Sequence, residues 1–164
     1  MNTTLILGIA AITLAIILMI FNRINNPYRM KRKDLLLVNA VIKNNSQELE
    51  KFLKKGGSPD AVDKKGMPVI SGGTALIAAA GNGSTSIVKR LLSHEADVNQ
   101  ADHQGFTPLM SASYKGNEVV VKKLLEKGAA TDDSDHEGFT ALMYAANAGK
   151  AGVVNILLQH GANP

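Results

Sequence analysis

Three carboxylates lie close together in the stretch DSDHEG, at a spacing that calcium-binding loops use. Asp133, Asp135 and Glu137 would take positions 1, 3 and 5 of such a loop. Gly138 would take the sixth position, but position 12, where a bidentate glutamate should close the site, is Tyr144. The stretch therefore predicts a turn rather than a calcium site.

Other residue types that serve catalysis lack the spacing that the chemistry needs. The stretch GNGST at 81–85 has no following Lys-Ser or Lys-Thr for a phosphate-binding loop. His103 and His136 occupy matching positions of units that should stack roughly 10 Å apart. That separation is too large for one zinc ion with bonds of about 2 Å. The chain has no cysteine, so no disulfide or thiolate metal site is possible. Because each of these motifs is incomplete, we expect no enzyme activity, catalytic residue, metal, cofactor or small-molecule substrate.

The elements that carry these residues follow a repeat of 33 residues. The chain reads DHQGFTPLMSA from position 102 and DHEGFTALMYA from position 135, and its leucine pairs recur at 91–92, 124–125 and 157–158. A fixed period of this length indicates a solenoid of stacked units. Within one unit, TPLMSASYKG predicts a first helix, and NEVVVKKLLEKG predicts a second helix with one apolar face. Gly128 and Gly161 should end the second helices.

These features resemble the ankyrin repeat, in which a turn of the form Asp-x-x-Gly-x-Thr-Pro-Leu-His leads into two antiparallel helices. The resemblance covers residues 34–164 and implies an all-α ankyrin-repeat solenoid of about four helix pairs. The repeats would span about 34–62, 63–101, 102–134 and 135–164. The first is a capping unit in which Asp34 caps a helix. Its second helix places Leu49, Phe52 and Leu53 in the core.

The chain departs from the family pattern in three ways. In the family, a histidine ties the turn together by hydrogen bonds. This chain has Ile77, Met110 and Met143 at that position, and these replacements should loosen the turns and add apolar burial. The stretch MPVISGG lengthens the loop between the first two units. The fourth unit shows no polar adaptation of its outer face, although terminal repeats normally have one.

An apolar run precedes the repeats and predicts a transmembrane anchor over residues 1–21. Leu5–Phe21 would form a helix of roughly 26 Å, close to the ~30 Å hydrocarbon core of a bilayer. A buried soluble helix would show a polar face. A cleaved signal peptide, the stronger alternative, would need a positive start and a small-residue cleavage site. Neither feature is present around this run.

A basic linker over residues 22–33 follows the apolar run. The net charge of +4 divides into +6 for residues 22–65 and −2 for residues 66–164, so the repeats carry no basic stripe for nucleic acid. The positive-inside rule places the N-terminus outside and the repeats in the cytoplasm. The collar of basic side chains consists of Arg23, Arg29, Lys31, Arg32 and Lys33.

The resemblance implies a module that binds a protein partner, here a membrane-associated one at the cytoplasmic face. Ankyrin partners usually contact the projecting loops and the exposed face of the first helices. The apolar residues of the extended loop suggest a further contact with the partner or the bilayer. Together the predicted contact residues are Lys64, Lys65, Met67, Val69, Ile70, His103, Gln104, Phe106, Tyr114, His136, Glu137, Phe139 and Asn147.

Phe106 and Phe139 are the expected anchors, since each follows the turn glycine at a variable, exposed position. Packing of each ring on its neighbouring loop is the alternative. Two other functions also stay open. One is an accessory structural subunit of a membrane complex, held mainly through its transmembrane helix. The other is an exported repeat domain, which would require the opposite topology.

Overall fold

The computed structural model describes residues 32–60 and 74–164, which form eight α-helices. In chain order these are α1 (Arg32–Ile42), α2 (Ser46–Lys54), α3 (Ala75–Gly81), α4 (Thr85–Ser93), α5 (Pro108–Lys115), α6 (Glu118–Glu126), α7 (Ala141–Asn147) and α8 (Ala151–Gln159). Within these ranges, extended pairing is confined to one antiparallel bridge between Ser134 and Thr140. The predicted all-α architecture of four helix pairs is confirmed.

The odd-numbered helices stack on one another more extensively than the even-numbered helices do. Their side chains explain the difference, because Ala79, Ala112 and Ala145 are fully buried and allow neighbouring backbones to approach closely. The even-numbered helices instead bury larger side chains, such as Leu91 and Leu124, on one face. The solenoid therefore has a narrow row of first helices and a wider row of second helices.

Threonine side chains start three of the first helices. The hydroxyl oxygens of Thr74, Thr107 and Thr140 each accept a hydrogen bond from the backbone N–H three residues on, at 3.2, 3.3 and 3.3 Å. Such caps satisfy donors that the first turn of a helix leaves unpaired. The repeated Gly-x-Thr of the sequence is thus a repeated helix start.

The glycines predicted to end the second helices do so. Gly128 and Gly161 lie two residues after the last residues of α6 and α8, with φ of +85° and +87°. This left-handed conformation is favourable for glycine and strained for residues with a Cβ. The backbone therefore makes the same left-handed turn after both helices.

The first unit is built as expected in its second helix but not at its start. Leu49, Phe52 and Leu53 are buried, which confirms their predicted core positions. The prediction that Asp34 caps the first helix is wrong, because α1 begins at Arg32 and Asp34 lies within its first turn. Arginine and lysine are good helix formers, so the residues before Asp34 extend the helix.

The apolar residues at the family's histidine position are buried in two repeats and exposed in the third. Ile77 is 5% exposed and Met110 is 0% exposed, as predicted, whereas Met143 is 48% exposed. The backbone N–H of Thr107 donates to the Met110 sulfur at 3.4 Å, so a thioether takes up a donor at the start of α5. The predicted gain in apolar burial is therefore wrong for the fourth repeat.

Several predicted features lie outside the described residues. These are the apolar run 5–21, the linker residues Arg23, Arg29 and Lys31, and the loop residues Lys64, Lys65, Met67, Val69 and Ile70. Arg32 and Lys33 belong to α1, but their side chains also lie outside the description. Among the helices of residues 32–60 and 74–164, none has the length and apolar character needed to cross a bilayer.

Candidate partner-binding surface

Two aspartates organise the turns that precede α5 and α7. The Asp102 carboxylate accepts from the backbone N–H groups of Gln104 and Phe106 at 2.8 and 3.0 Å. One repeat later, the Asp135 carboxylate accepts from those of Glu137 and Phe139, both at 2.9 Å. The aspartate of each repeat is thus a local acceptor that fixes the backbone of the phenylalanine four residues on.

The two turns are also joined to each other. The backbone N–H of His136 donates to the carbonyl oxygen of Gln104 at 2.9 Å. Gly105 lies beside this bond, and a Cβ on it would be 3.0 Å from the Asp135 Cα. The projecting loops of the third and fourth repeats therefore form one surface with a fixed register.

Tyr144, on α7, is the centre of an aromatic cluster on this surface. Its ring centroid lies 5.2 Å from that of Phe106, 5.7 Å from that of Phe139 and 6.2 Å from that of Tyr114. The contacts with Phe106 and Tyr114 are edge-to-face, an arrangement that aromatic pairs favour. The cluster bridges two turns and two helices.

The two phenylalanines expected to be equivalent anchors are not equivalent. Phe139 is 39% exposed and Tyr114 is 45% exposed, whereas the Phe106 ring is half-buried and packs against the hydrophobic core. The prediction of an exposed slot is therefore wrong for Phe106, which has repeat neighbours on both sides. Phe139 and Tyr114 present the exposed aromatic area of the cluster.

A hydrogen bond ties this cluster to the turn. The Tyr144 hydroxyl donates to the second oxygen of the Asp135 carboxylate at 2.5 Å. This bond, together with backbone donors of the turn, holds the pKa of Asp135 below its usual value. The same bond, aided by burial, raises the pKa of Tyr144 to about 12. At neutral pH the pair is thus a carboxylate and a neutral phenol.

Tyr144 was not among the contact residues predicted from the sequence. One available signal was its size, because the matching positions one and two repeats earlier hold Ser111 and Ala78. A large aromatic side chain where the period otherwise has small residues indicates a local specialisation. The 33-residue alignment shows this change, but not that four rings meet there.

We expect the Tyr144 hydroxyl to ionise near pH 12, well above the pKa of an ordinary tyrosine. The Asp135 bond stabilises the fold fully at pH values above the ordinary pKa of an aspartate and below pH 10. Because the folded pKa of Tyr144 is raised, this contribution is lost as pH rises through about 12, and because the pKa of Asp135 is lowered, it is also lost as that carboxylate becomes protonated in acid. Absorbance at 295 nm, compared between the parent and Tyr144→Phe, isolates its titration from those of Tyr28 and Tyr114. In Asp135→Asn the pKa should fall towards 10. A Tyr144 that titrates near 10 in the parent would contradict the assignment.

The surface continues on either side of the aromatic cluster as two open cavities of opposite character. One, of about 290 Å³, is lined by Gln104, Phe106, Asp135, His136, Glu137 and Tyr144. The other, of about 380 Å³, is lined by Tyr114, Lys115, Asn147, Ala148 and Lys150. The first has carboxylates at an aromatic wall, and the second has ammonium groups at an aromatic wall.

The structure brings together most of the predicted contact residues of the third and fourth repeats. Gln104, Phe106, His136 and Glu137 line the first cavity, Tyr114 and Asn147 line the second, and Phe139 contacts the Tyr144 ring. His103 is exposed on the Asp102 turn. In the described ranges, no group of three or more His, Cys, Asp or Glu side chains is arranged to hold a metal ion.

Stacked helix pairs, projecting turns and an open aromatic surface define a helical-repeat protein. A family model for ankyrin repeats, comprising three copies, matches residues 37–135 and again residues 120–164. The chain belongs to the ankyrin-repeat family, and its repeats make it a protein–protein interaction module of a generally non-enzymatic class. A comparison with curated protein sequences gives no significant match.

Proposed function

We propose that this chain is a single-pass membrane protein that holds its ankyrin repeats at the cytoplasmic face and binds a membrane-associated protein there. The observation that carries the binding role is the aromatic cluster around Tyr144. Exposed aromatic side chains on a rigid scaffold are frequent anchors of protein interfaces. The proposal includes no catalytic activity.

The membrane part of the proposal is supported by the sequence. Residues 5–21 carry no charge, and the basic linker follows them directly. Residues 22–31, which precede α1, span at most about 36 Å when fully extended. The repeats would therefore stay close to the bilayer, which favours a partner that is itself in the membrane or recruited to it.

Single cysteines test the topology, because the natural chain has none. We expect Asn2→Cys to react with a membrane-impermeant maleimide in intact cells. Asn155→Cys, on the exposed face of α8, should react only after permeabilisation. The apolar span should also keep the chain in the pellet during carbonate extraction. Labelling of Asn155→Cys in intact cells, or a soluble chain, would overturn the membrane proposal.

Partner capture from mild detergent tests the binding surface. We expect Phe139→Ala to weaken capture by at least about fivefold, or 1 kcal/mol, because aromatic anchors typically contribute this much. Its ring is partly exposed, so thermal stability should change little. Phe106→Ala is a poor probe, since its ring packs against the core.

Val119→Ala is the matched control, since Val119 is an apolar residue of α6 that is 63% exposed. A captured protein counts as the partner of this surface only if the Val119→Ala variant still captures it and the Phe139→Ala variant does not. Replacing residues 5–21 with an unrelated apolar helix separates the alternative function: a subunit held through its span should dissociate, whereas a module that binds through its repeats should keep its partner.

A further inference from the structure

The two cavities and the aromatic rings between them are here called the groove of the third and fourth repeats, and its two ends carry opposite charges. Its carboxylates, Asp135 and Glu137, lie in the turn that precedes α7, and the cavity beside them is walled by the Phe106 and Tyr144 rings. Its ammonium groups belong to Lys115, the last residue of α5, and Lys150, the residue before α8. The acidic end of the groove therefore lies at the N-terminal ends of the first helices, and the basic end lies at their C-terminal ends.

Aromatic rings connect the two ends. The centroid distances from Phe106 to Tyr144 and from Tyr144 to Tyr114 are 5.2 and 6.2 Å. The eight residues of α5 span about 12 Å, which is close to the two centroid distances taken together. An extended peptide rises about 3.3 Å per residue and its side chains alternate between two faces, so side chains four positions apart lie on one face about 13 Å apart and would reach both ends.

Asp135 and the two lysines each make a contact within the fold that orients the side chain. Asp135 is fixed by two backbone N–H groups and by the Tyr144 hydroxyl. The Lys150 stem lies over Gly116, where a Cβ would be 2.8 Å from its Cδ. The Lys115 ammonium lies 5.3 Å from the centroid of the Tyr114 ring. The groove thus has a charged group of defined position at each end.

We propose that this groove binds an extended segment of the partner protein that carries an arginine and, four residues away, an aspartate or glutamate. Arginine suits the acidic end because its planar guanidinium both pairs with carboxylates and stacks on aromatic faces. The partner's carboxylate suits the two lysines. This inference specifies the partner chemistry of the surface in the proposed function and rests on that function.

Synthetic peptides test the groove independently of the membrane. The probe is the acetylated, amidated peptide Gly-Arg-Ala-Ala-Ala-Glu-Gly, with its reversed sequence as a second probe, titrated into the full chain in detergent micelles and followed by NMR. We expect saturable shifts of the backbone amides of Glu137, Phe139 and Tyr144 with one of the two peptides. Replacing arginine with neutral citrulline, or glutamate with glutamine, should each weaken binding at least fivefold.

Two protein variants with the same change in charge supply the control. Glu137→Gln should weaken binding of the arginine peptide at least threefold and leave the citrulline peptide unaffected. Glu95→Gln, at an exposed position after α4, should change neither. Equal affinity for arginine and citrulline, equal effects of the two variants, shifts confined to other repeats, or no binding by either peptide would overturn the inference. Failure of membrane tethering would change none of these results.

Discussion

Replacing Met110 with alanine is expected to lower the free energy of unfolding by about 3 kcal/mol. The Met110 side chain is 0% exposed and belongs to the continuous core. Removing such a side chain loses its transfer free energy and leaves a cavity, which together cost about 2–5 kcal/mol for a buried methionine. Urea unfolding of the full chain, followed by circular dichroism at 222 nm, measures the change.

Met143→Ala is the matched control, because Met143 has the same position in the next repeat. Its side chain is 48% exposed, so its truncation leaves no enclosed cavity. We expect a loss below about 1 kcal/mol, within the range of surface substitutions. Equal losses for the two variants would show that Met110 is not enclosed by its neighbouring repeats as the structure has it.

Replacing Gly105 with alanine is expected to cost about 2–3 kcal/mol, by two separable effects. Its φ of +82° is strained for alanine, which costs about 1 kcal/mol. The added Cβ would also lie 3.0 Å from the Asp135 Cα and 3.3 Å from the His136 backbone nitrogen. Backbone atoms cannot move aside as the end of a side chain can, so the bond from His136 to Gln104 should be strained or lost.

Gly138→Ala isolates the first of these effects. Gly138 has a φ of +87°, and nothing lies within 4 Å of the position of an added Cβ. Its substitution should therefore cost only about 1 kcal/mol. The same urea unfolding measures both variants, and hydrogen exchange of the His136 amide should accelerate only in Gly105→Ala. Equal destabilisation of the two variants would contradict the close approach of the turns.

The sequence alone determined the repeated elements of this protein. Helix starts at Thr107 and Thr140 and helix ends at Gly128 and Gly161 follow from hydrogen bonds and backbone angles within a few residues. The apolar faces of the second helices follow from spacing along one helix. Because these causes are local and recur every 33 residues, they could be predicted without knowledge of the packing. The repeat also aligns the turns and first helices, so the sequence predicted that residues such as Gln104, His136 and Asn147 lie on one surface; that they contact a partner stays a prediction.

Only the tertiary structure decided which side chains at matching positions of the repeats are buried and which are exposed. Met110 is enclosed and Met143 is exposed, and Phe106 is packed whereas Phe139 keeps an exposed face, although each pair matches in sequence. Tyr144 lies at the centre of the aromatic cluster because its ring contacts side chains of two repeats and its hydroxyl donates to Asp135. Burial and charge pairing depend on which atoms surround a side chain, and that set differs between repeats with identical local patterns.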